Sequence, residues 1–329
     1  MSPRKVDYLN IGLILISAIL AFVFPLGLFI FAFVILGPLH YFTEINWLDQ
    51  KKYFTITKSR IWFWIGLGAT CLIMFPKFYF YLAKSDSGSL HQFITSFNSW
   101  TNGIIFLSLI LALGLVIIRK RIYWMILLLP SIGIAYYLNT NLVYNQLLGI
   151  LIPTVIHVYI FTLIFMAYGA KKSKSTPGFI AVAVALVVPL LIMGATLDEG
   201  SYLFSDWTKE IYLAGNFHVS PVLTASFMGI HDGKNFFFYE TVSMKMMIFF
   251  SFIYMYHYLN WFSKTSLIQW HKTLTWKRSF LIVGLWALLL FVFYLDLRLG
   301  LLFAAFFSFL HVILEFPLNV KSIDGLFRR

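Results

Sequence analysis

Ten stretches of roughly twenty apolar residues, parted by short loops rich in Lys and Arg, run through this chain. A helix needs about 20 mainly apolar residues to cross the hydrocarbon core of a bilayer. In lipid every backbone polar group must find its partner inside the protein, so segments of this length are read as membrane helices. The first stretch, Tyr8 to Leu48, is too long for one crossing and is broken at Pro25-Leu26-Gly27, which predicts a hairpin of two spans. The others lie at about 61–82, 101–118, 122–138, 146–169, 178–197, 238–262, 279–295 and 299–319. The expected fold class is therefore all-α, a polytopic transmembrane bundle of about ten spans forming one integral membrane domain, 1–329. No small-residue cleavage site follows the first apolar segment, so no removable signal is expected.

Composition excludes the main alternatives. Charged residues are 12% of the chain and hydrophobic ones 60%, where a soluble domain carries about a quarter charged. Thirteen acids and 25 bases cannot cover a water-exposed globule of this size, which removes a soluble enzyme and a disordered chain. The net charge of +12 would suit nucleic acid only if the bases gathered on one folded face. They sit instead between apolar stretches, so no nucleic-acid partner is expected. Cys71 is the only cysteine, which rules out a disulfide framework and a Cys-based metal site.

The bases also orient the chain. With the N-terminus inside, inner segments hold 19 of the 25 Lys and Arg, from Arg4 and Lys5 through Lys58, Arg119, Lys171 and Lys264 to Arg329. The outer side keeps Lys77, Lys84, Lys209, Lys234 and Arg298, and Lys245 falls within a span. One missed helix would reverse every later loop, so this bias supports ten spans, cytoplasmic termini and a multi-pass protein of the cell (inner) membrane. The longest loop, about 198–237, falls outside. It holds Trp207, His218, Pro221 and His231, with enough apolar residues for a lid or a re-entrant piece.

Ionisable side chains in hydrocarbon are costly, so each needs a reason. His40, His157, His257 and His311 precede the basic flanks Lys51, Lys171, Lys264 and Lys321 by 11, 14, 7 and 10 residues. At about 1.5 Å per residue, these depths are roughly 10 to 21 Å, one slab of the inner half of the membrane. Two carry an acid at i+4: His40-Tyr-Phe-Thr-Glu44 and His311-Val-Ile-Leu-Glu315. That spacing puts both groups on one helix face, where the carboxylate can join the histidine as a ligand or accept from a histidine nitrogen. The expected site is thus His40, His157, His257 and His311 as metal ligands, with Glu44 and Glu315 as supporting or additional ligands. Iron and zinc both suit such N/O donors. The bland alternative is hydrogen bonding between packed helices.

Pro38, Pro153 and Pro317 flank these residues, and each frees a backbone carbonyl and bends its helix; Gly37 permits close packing there. Lys245, about 18 Å from His257 by helical rise, is read as snorkelling to the outer interface. His218 and His231-Asp232 are read as loop residues, and His91 and His271 as interfacial. The many Phe, Tyr and Trp form lipid-facing bulk and interfacial belts, with a share lining any cavity. A substrate of such a site would be lipophilic and would enter from the bilayer.

The local text Gly37-Pro38-Leu39-His40-Tyr41-Phe42-Thr43-Glu44 resembles a motif of the Brp/Blh family of bacterial membrane β-carotene dioxygenases. Tyr256-His257-Tyr258-Leu259-Asn260-Trp261 is loosely similar to a later histidine-plus-aromatic segment of that family. The resemblance implies a polytopic fold, a non-haem iron held by His40, His157, His257 and His311, and oxidative cleavage of a carotenoid. Glu44 stands where the family has aspartate, Tyr41 where a glycine usually follows the histidine, and no adjacent His-His pair occurs.

Three functions follow as expectations. The first is a membrane-embedded, Fe(II)-dependent oxygenase or oxidoreductase acting on a lipophilic substrate. The second is a proton- or ion-coupled transporter using the same His/Glu cluster, although no inverted repeat is evident. The third is a haem protein with bis-histidine ligation. A desaturase-like di-iron enzyme is disfavoured, because neither His-x-x-x-His nor His-x-x-His-His occurs.

Overall fold

Each apolar segment forms a helix, and no strand occurs among the described residues of this computed structural model, which are 2–56, 60–83, 88–118 and 120–328. Lys58, Lys84, Arg119 and Arg329, four of the bases that orient the chain, lie outside the described residues. The first apolar stretch divides as expected. Helix α1 (Pro3–Val23) ends at Phe24, whose backbone leaves the helical region, and Pro25 opens α2 (Pro25–Gln50). Proline is well placed there, since the first turn of a helix has no use for its missing N–H.

There follow α3 (Ile61–Leu82), α4 (Ser89–Ser99), α5 (Thr101–Ile117), α6 (Arg121–Thr140) and α7 (Val143–Ser173). After them come α8 (Thr176–Gly194), α9 (Asp206–Ala214), α10 (Val219–Phe227), α11 (Thr241–Ser263), α12 (Trp276–Leu295) and α13 (Leu297–Phe327). Seven of these helices are long and apolar enough to cross a membrane, and α4 with α5, bent by 41°, make an eighth if taken as one span.

Two of the ten expected spans fall short of that standard, for different reasons. Of α6, only Ile126–Thr140 can be judged among the described side chains, which is shorter than a full crossing. Helix α11 is 23 residues long but carries Lys245, His257, Asn260 and three tyrosines. Its polarity is tolerated because other helices enclose it. Seventeen of its residues are buried, and it lies against α1, α2, α7, α8 and α10. A helix wrapped by protein on all sides has no lipid face to keep apolar.

The long helix α13 is the second organiser, lying against α2, α3, α5, α7 and α12. It runs through Pro317 as one 31-residue element. The indole of Trp62 donates to the Leu314 carbonyl (3.2 Å), tying α3 to it. At Gly66 an added Cβ would lie 2.8 Å from the Leu314 side chain. Gly66→Val is therefore expected to force α3 from α13 and cost about 1–3 kcal/mol, read as earlier melting in detergent. Gly68→Ala, where nothing lies within 4 Å, should leave the transition in place.

Helices α2 and α7 are irregular. Ala32–Leu36 and Leu147–Phe161 adopt the wider π-helical turn. Pro38 and Pro153 cannot donate to the carbonyls four residues back, and such a turn is one response. The indole of Trp286 then donates to the Ile35 carbonyl (2.9 Å). Both widened segments lead into or contain a site histidine. At the basic end of the bundle, Lys171 Nζ donates to the carbonyls of Leu326 (2.7 Å) and Arg328 (2.6 Å), capping α13. Lys245, read from sequence as a snorkelling lysine, instead donates to the Met193 carbonyl (2.7 Å) at the end of α8.

Candidate metal centre

Four helices form a closed ring in the order α2, α11, α7, α13, each touching the next. One histidine from each meets the others in the middle. Ring centroids are 4.7 Å apart for His40–His257, 5.2 Å for His257–His157, 4.8 Å for His157–His311 and 5.3 Å for His311–His40. All four side chains are buried. Their Nε2 atoms face inward: those of His40 and His257 are 3.1 Å apart, and those of His157 and His311 are 3.0 Å apart. Ligand atoms of His40, His257 and His311 lie within 4.8 Å of one another, and His157 adjoins this trio through His311. The four histidines expected at a common depth are therefore brought together.

The surrounding side chains fix the rings. Thr162 Oγ1 donates to the Val158 carbonyl (2.9 Å) and lies 2.8 Å from His257 Nδ1. Its single proton is spent on the carbonyl, so it accepts from His257 Nδ1–H. That assigns the His257 tautomer: the proton is on Nδ1, and the Nε2 lone pair points at the centre. Trp261 Nε1 donates to Thr43 Oγ1 (3.0 Å) and its ring stands edge-on to His40 at 5.5 Å. Tyr258 closes the other side of His40 at 5.1 Å. The close packing expected at Gly37 is real, since a Cβ there would lie 3.1 Å from the Tyr258 hydroxyl oxygen.

The two acids occupy different positions. Glu44 Oε2 is 3.2 Å from His40 Nε2, on the inward side, where a ligand would stand. Glu315 Oε2 is 3.1 Å from His157 Nδ1, on the outward side. The i+4 spacing left Glu315 as a ligand beside His311 or an acceptor for a histidine nitrogen. It lies nearest to His157 on the neighbouring helix, where an outer carboxylate could support a ligand histidine.

These residues fit a divalent cation. With metal–nitrogen bonds of about 2.1 Å, neighbouring ligands at right angles lie about 3.0 Å apart, whereas tetrahedral ones lie about 3.4 Å apart. The observed 3.0 and 3.1 Å are near both spacings, and equally near a hydrogen bond between the two rings of each pair. Glu44, Glu315 and Lys264 line one small cavity of about 30 Å³ beside His40 and His257. Lys264 is buried, its Nζ has no hydrogen-bond partner, and it sits over the Phe165 ring at 4.6 Å. Two carboxyl groups beside the imidazoles add oxygen donors to the nitrogen set, and a bound divalent cation would favour their ionised forms in this apolar interior.

Thr162, Trp261, Tyr258 and Lys264 were not read from the sequence as site residues. Lys264 was counted only as a flank, although its place seven residues after His257 puts both on one helix face. Thr162 carries no comparable spacing signal. Thr162→Val is expected to weaken metal affinity about 10- to 100-fold with the fold intact, measured by competition with a chelator of known affinity.

The remaining histidines lie elsewhere. His231 Nε2 is 3.4 Å from Glu240, and its Nδ1 accepts from the Gly233 N–H (3.0 Å). His218 lies over Phe236 at 5.3 Å, and burial lowers its pKa below the ordinary value. His91 rests on Phe80 at 5.5 Å, and exposed His271 lies 3.1 Å from the Thr265 carbonyl.

Away from the basic end, the ring is overlain by a chamber of about 1420 Å³, larger than the 300–1,000 Å³ of ordinary small-molecule sites. Thr154, Tyr254 and Ser308 line it, and each precedes a site histidine by three residues. These lining residues are thus about 4.5 Å from the histidines along the helix axes, although none of the four histidines itself lines the chamber. The long loop forms α9 and α10, and Leu213–Phe217 and Ser220 close over the chamber. Comparison of the chain with family models, curated proteins and solved structures finds no match.

Proposed function

We propose that this is a multi-pass protein of the cell membrane, with ten crossings and cytoplasmic termini, that works as a non-haem iron oxygenase on a lipophilic substrate. One observation carries the reading: four imidazoles far apart in sequence meet in one buried cluster, three of them with ligand atoms within 4.8 Å of one another, one helical turn from residues that line a chamber large enough for a lipid. A donor set of imidazoles and carboxylates suits iron, which can keep further positions free for reactants. Bound iron(II) would supply the one-electron chemistry that reaction with O₂ requires.

The chain's own residues do the rest. His40, His157, His257 and His311 would hold the ion, Glu44 would complete the donor set, and Glu315 and Thr162 would orient the rings. Tyr254, Phe250 and Phe309 would align the substrate above the ring and exclude water. The likeness of Gly37–Glu44 to the Brp/Blh motif points the same way, towards oxidation of a long apolar chain, although the carotenoid of that family is neutral and this chamber also carries charged residues at its mouth. Haem fits poorly: between two imidazoles it needs facing nitrogens about 4 Å apart, and these are 3.0–3.1 Å apart.

A second reading, ion- or proton-coupled transport, draws on the ring's place between the large chamber and the small cavity. Elemental analysis and a visible spectrum of detergent-purified protein separate these readings. About one equivalent of iron without a Soret band is expected. Less than about a tenth of an equivalent of any transition metal, together with liposome flux abolished by Glu44→Gln and Glu315→Gln, would establish the transporter instead.

A further inference from the structure

The mouth of the chamber has a chemistry that the iron reading does not use. Lys77 of α3 and Arg298 of α13 line it, together with Tyr81 and Asp296. Asp296 is already engaged. Its Oδ2 accepts from the Tyr81 hydroxyl (2.6 Å), and its Oδ1 caps α13 by accepting from the Leu299 N–H (2.9 Å). Lys77 is half-buried and donates to the neutral Asn98 Oδ1 at 2.7 Å. Neither Lys77 nor Arg298 belongs to an ion pair within 4.0 Å among the described residues. Among the described residues, two cations thus face a cavity whose lining holds one carboxylate.

Below that rim the walls change character. Phe29, Phe33, Phe217, Phe250 and Phe309 line the chamber down to the level of Thr154 and Ser308. From Arg298 to His311 is 13 residues of one helix, about 20 Å along its axis. One leaflet of hydrocarbon is about 15 Å thick, so a single long chain covers most of the distance from rim to ring. A neutral hydrocarbon would have no use for the two cations, and a short anion none for the phenylalanine wall.

We propose that the chamber binds a single-chain lipid with an anionic head, held by Lys77 and Arg298, its chain lying along the phenylalanines with the far end at the histidine ring. The proposal rests on the oxygenase reading for the reactivity of that far end; the binding itself does not depend on it. It also implies a ruler, since the bond presented to the ring is set by its distance from the head group.

The test titrates detergent-purified protein with cis-parinaric acid and with the corresponding alcohol, the same fluorescent chain with an anionic and a neutral head. The acid is expected to bind at least ten-fold more tightly. In Lys77→Gln/Arg298→Gln that preference should fall below two-fold, with affinity for the alcohol unchanged. Ala305→Trp, which fills the chamber, should abolish both. Displacement by oleate and by oleyl phosphate distinguishes a carboxylate head from a phosphate one. Equal affinity of acid and alcohol in the unaltered protein overturns the proposal, and so does a preference that survives the double substitution. Iron measured in the same preparations keeps the two readings apart. Acid preference without iron sinks the oxygenase and leaves the lipid site, while iron without acid preference does the reverse.

Discussion

His257→Ala is expected to lower bound metal from about one equivalent per chain to below a tenth, with the helical bundle intact. The reason lies in the position of this imidazole. Its Nε2 is 3.1 Å from that of His40, and its tautomer is set by Thr162, so its lone pair is permanently aimed inward. It also sits on the helix that the rest of the bundle encloses, so no alternative donor can swing into its place. Truncating a buried side chain leaves a cavity and some loss of stability. His257→Gln, which keeps volume and polarity, is therefore measured beside it. Both variants should lose metal while the glutamine form melts close to the parent. A nearly full complement of metal in both would remove the site from consideration.

Glu44→Gln is expected to cost more than 100-fold in metal affinity, and Glu315→Gln only about 10- to 100-fold. The two substitutions remove the same charge from the same cavity, so electrostatics alone predicts equal losses. Geometry predicts otherwise. Glu44 stands 3.2 Å from the inward Nε2 of His40, where a ligand belongs, and Glu315 stands 3.1 Å from the outward Nδ1 of His157, where it orients a ring. Chelator competition reads the ratio directly. Equal losses would reduce both acids to counter-charges, and the opposite order would exchange their roles.

Much of this architecture was legible because hydrocarbon imposes simple rules. Length and apolarity marked the helices, and the distance of each histidine from its basic flank marked a shared depth. Depth is a coordinate along the membrane normal, however, and says nothing about position around the bundle. That α2, α11, α7 and α13 close a ring in that order is a fact of lateral packing, which depends on shape at every interface. The same limit explains Glu315. Spacing put it on the face of His311, but a helix face looks towards two neighbours, and the side chain took the one bearing His157. Thr162 was invisible for a related reason. A hydroxyl that bonds its own helix is common, and only the arrival of His257 gives it a second use. Helix α11 shows the converse, a span less apolar than its fellows because it faces none of the solvent that apolarity serves.

The closed ring joins His40, close to the start of the chain, to His311, close to its end. A ribosome delivers the wall bearing His40 well before the wall bearing His311. Until α13 arrives, His40, His157 and His257 border a trough open on one side, and α11 lacks the completed surround that tolerates its polar residues. A chain cut short before α13 would therefore keep three of the four imidazoles but no closed enclosure around them.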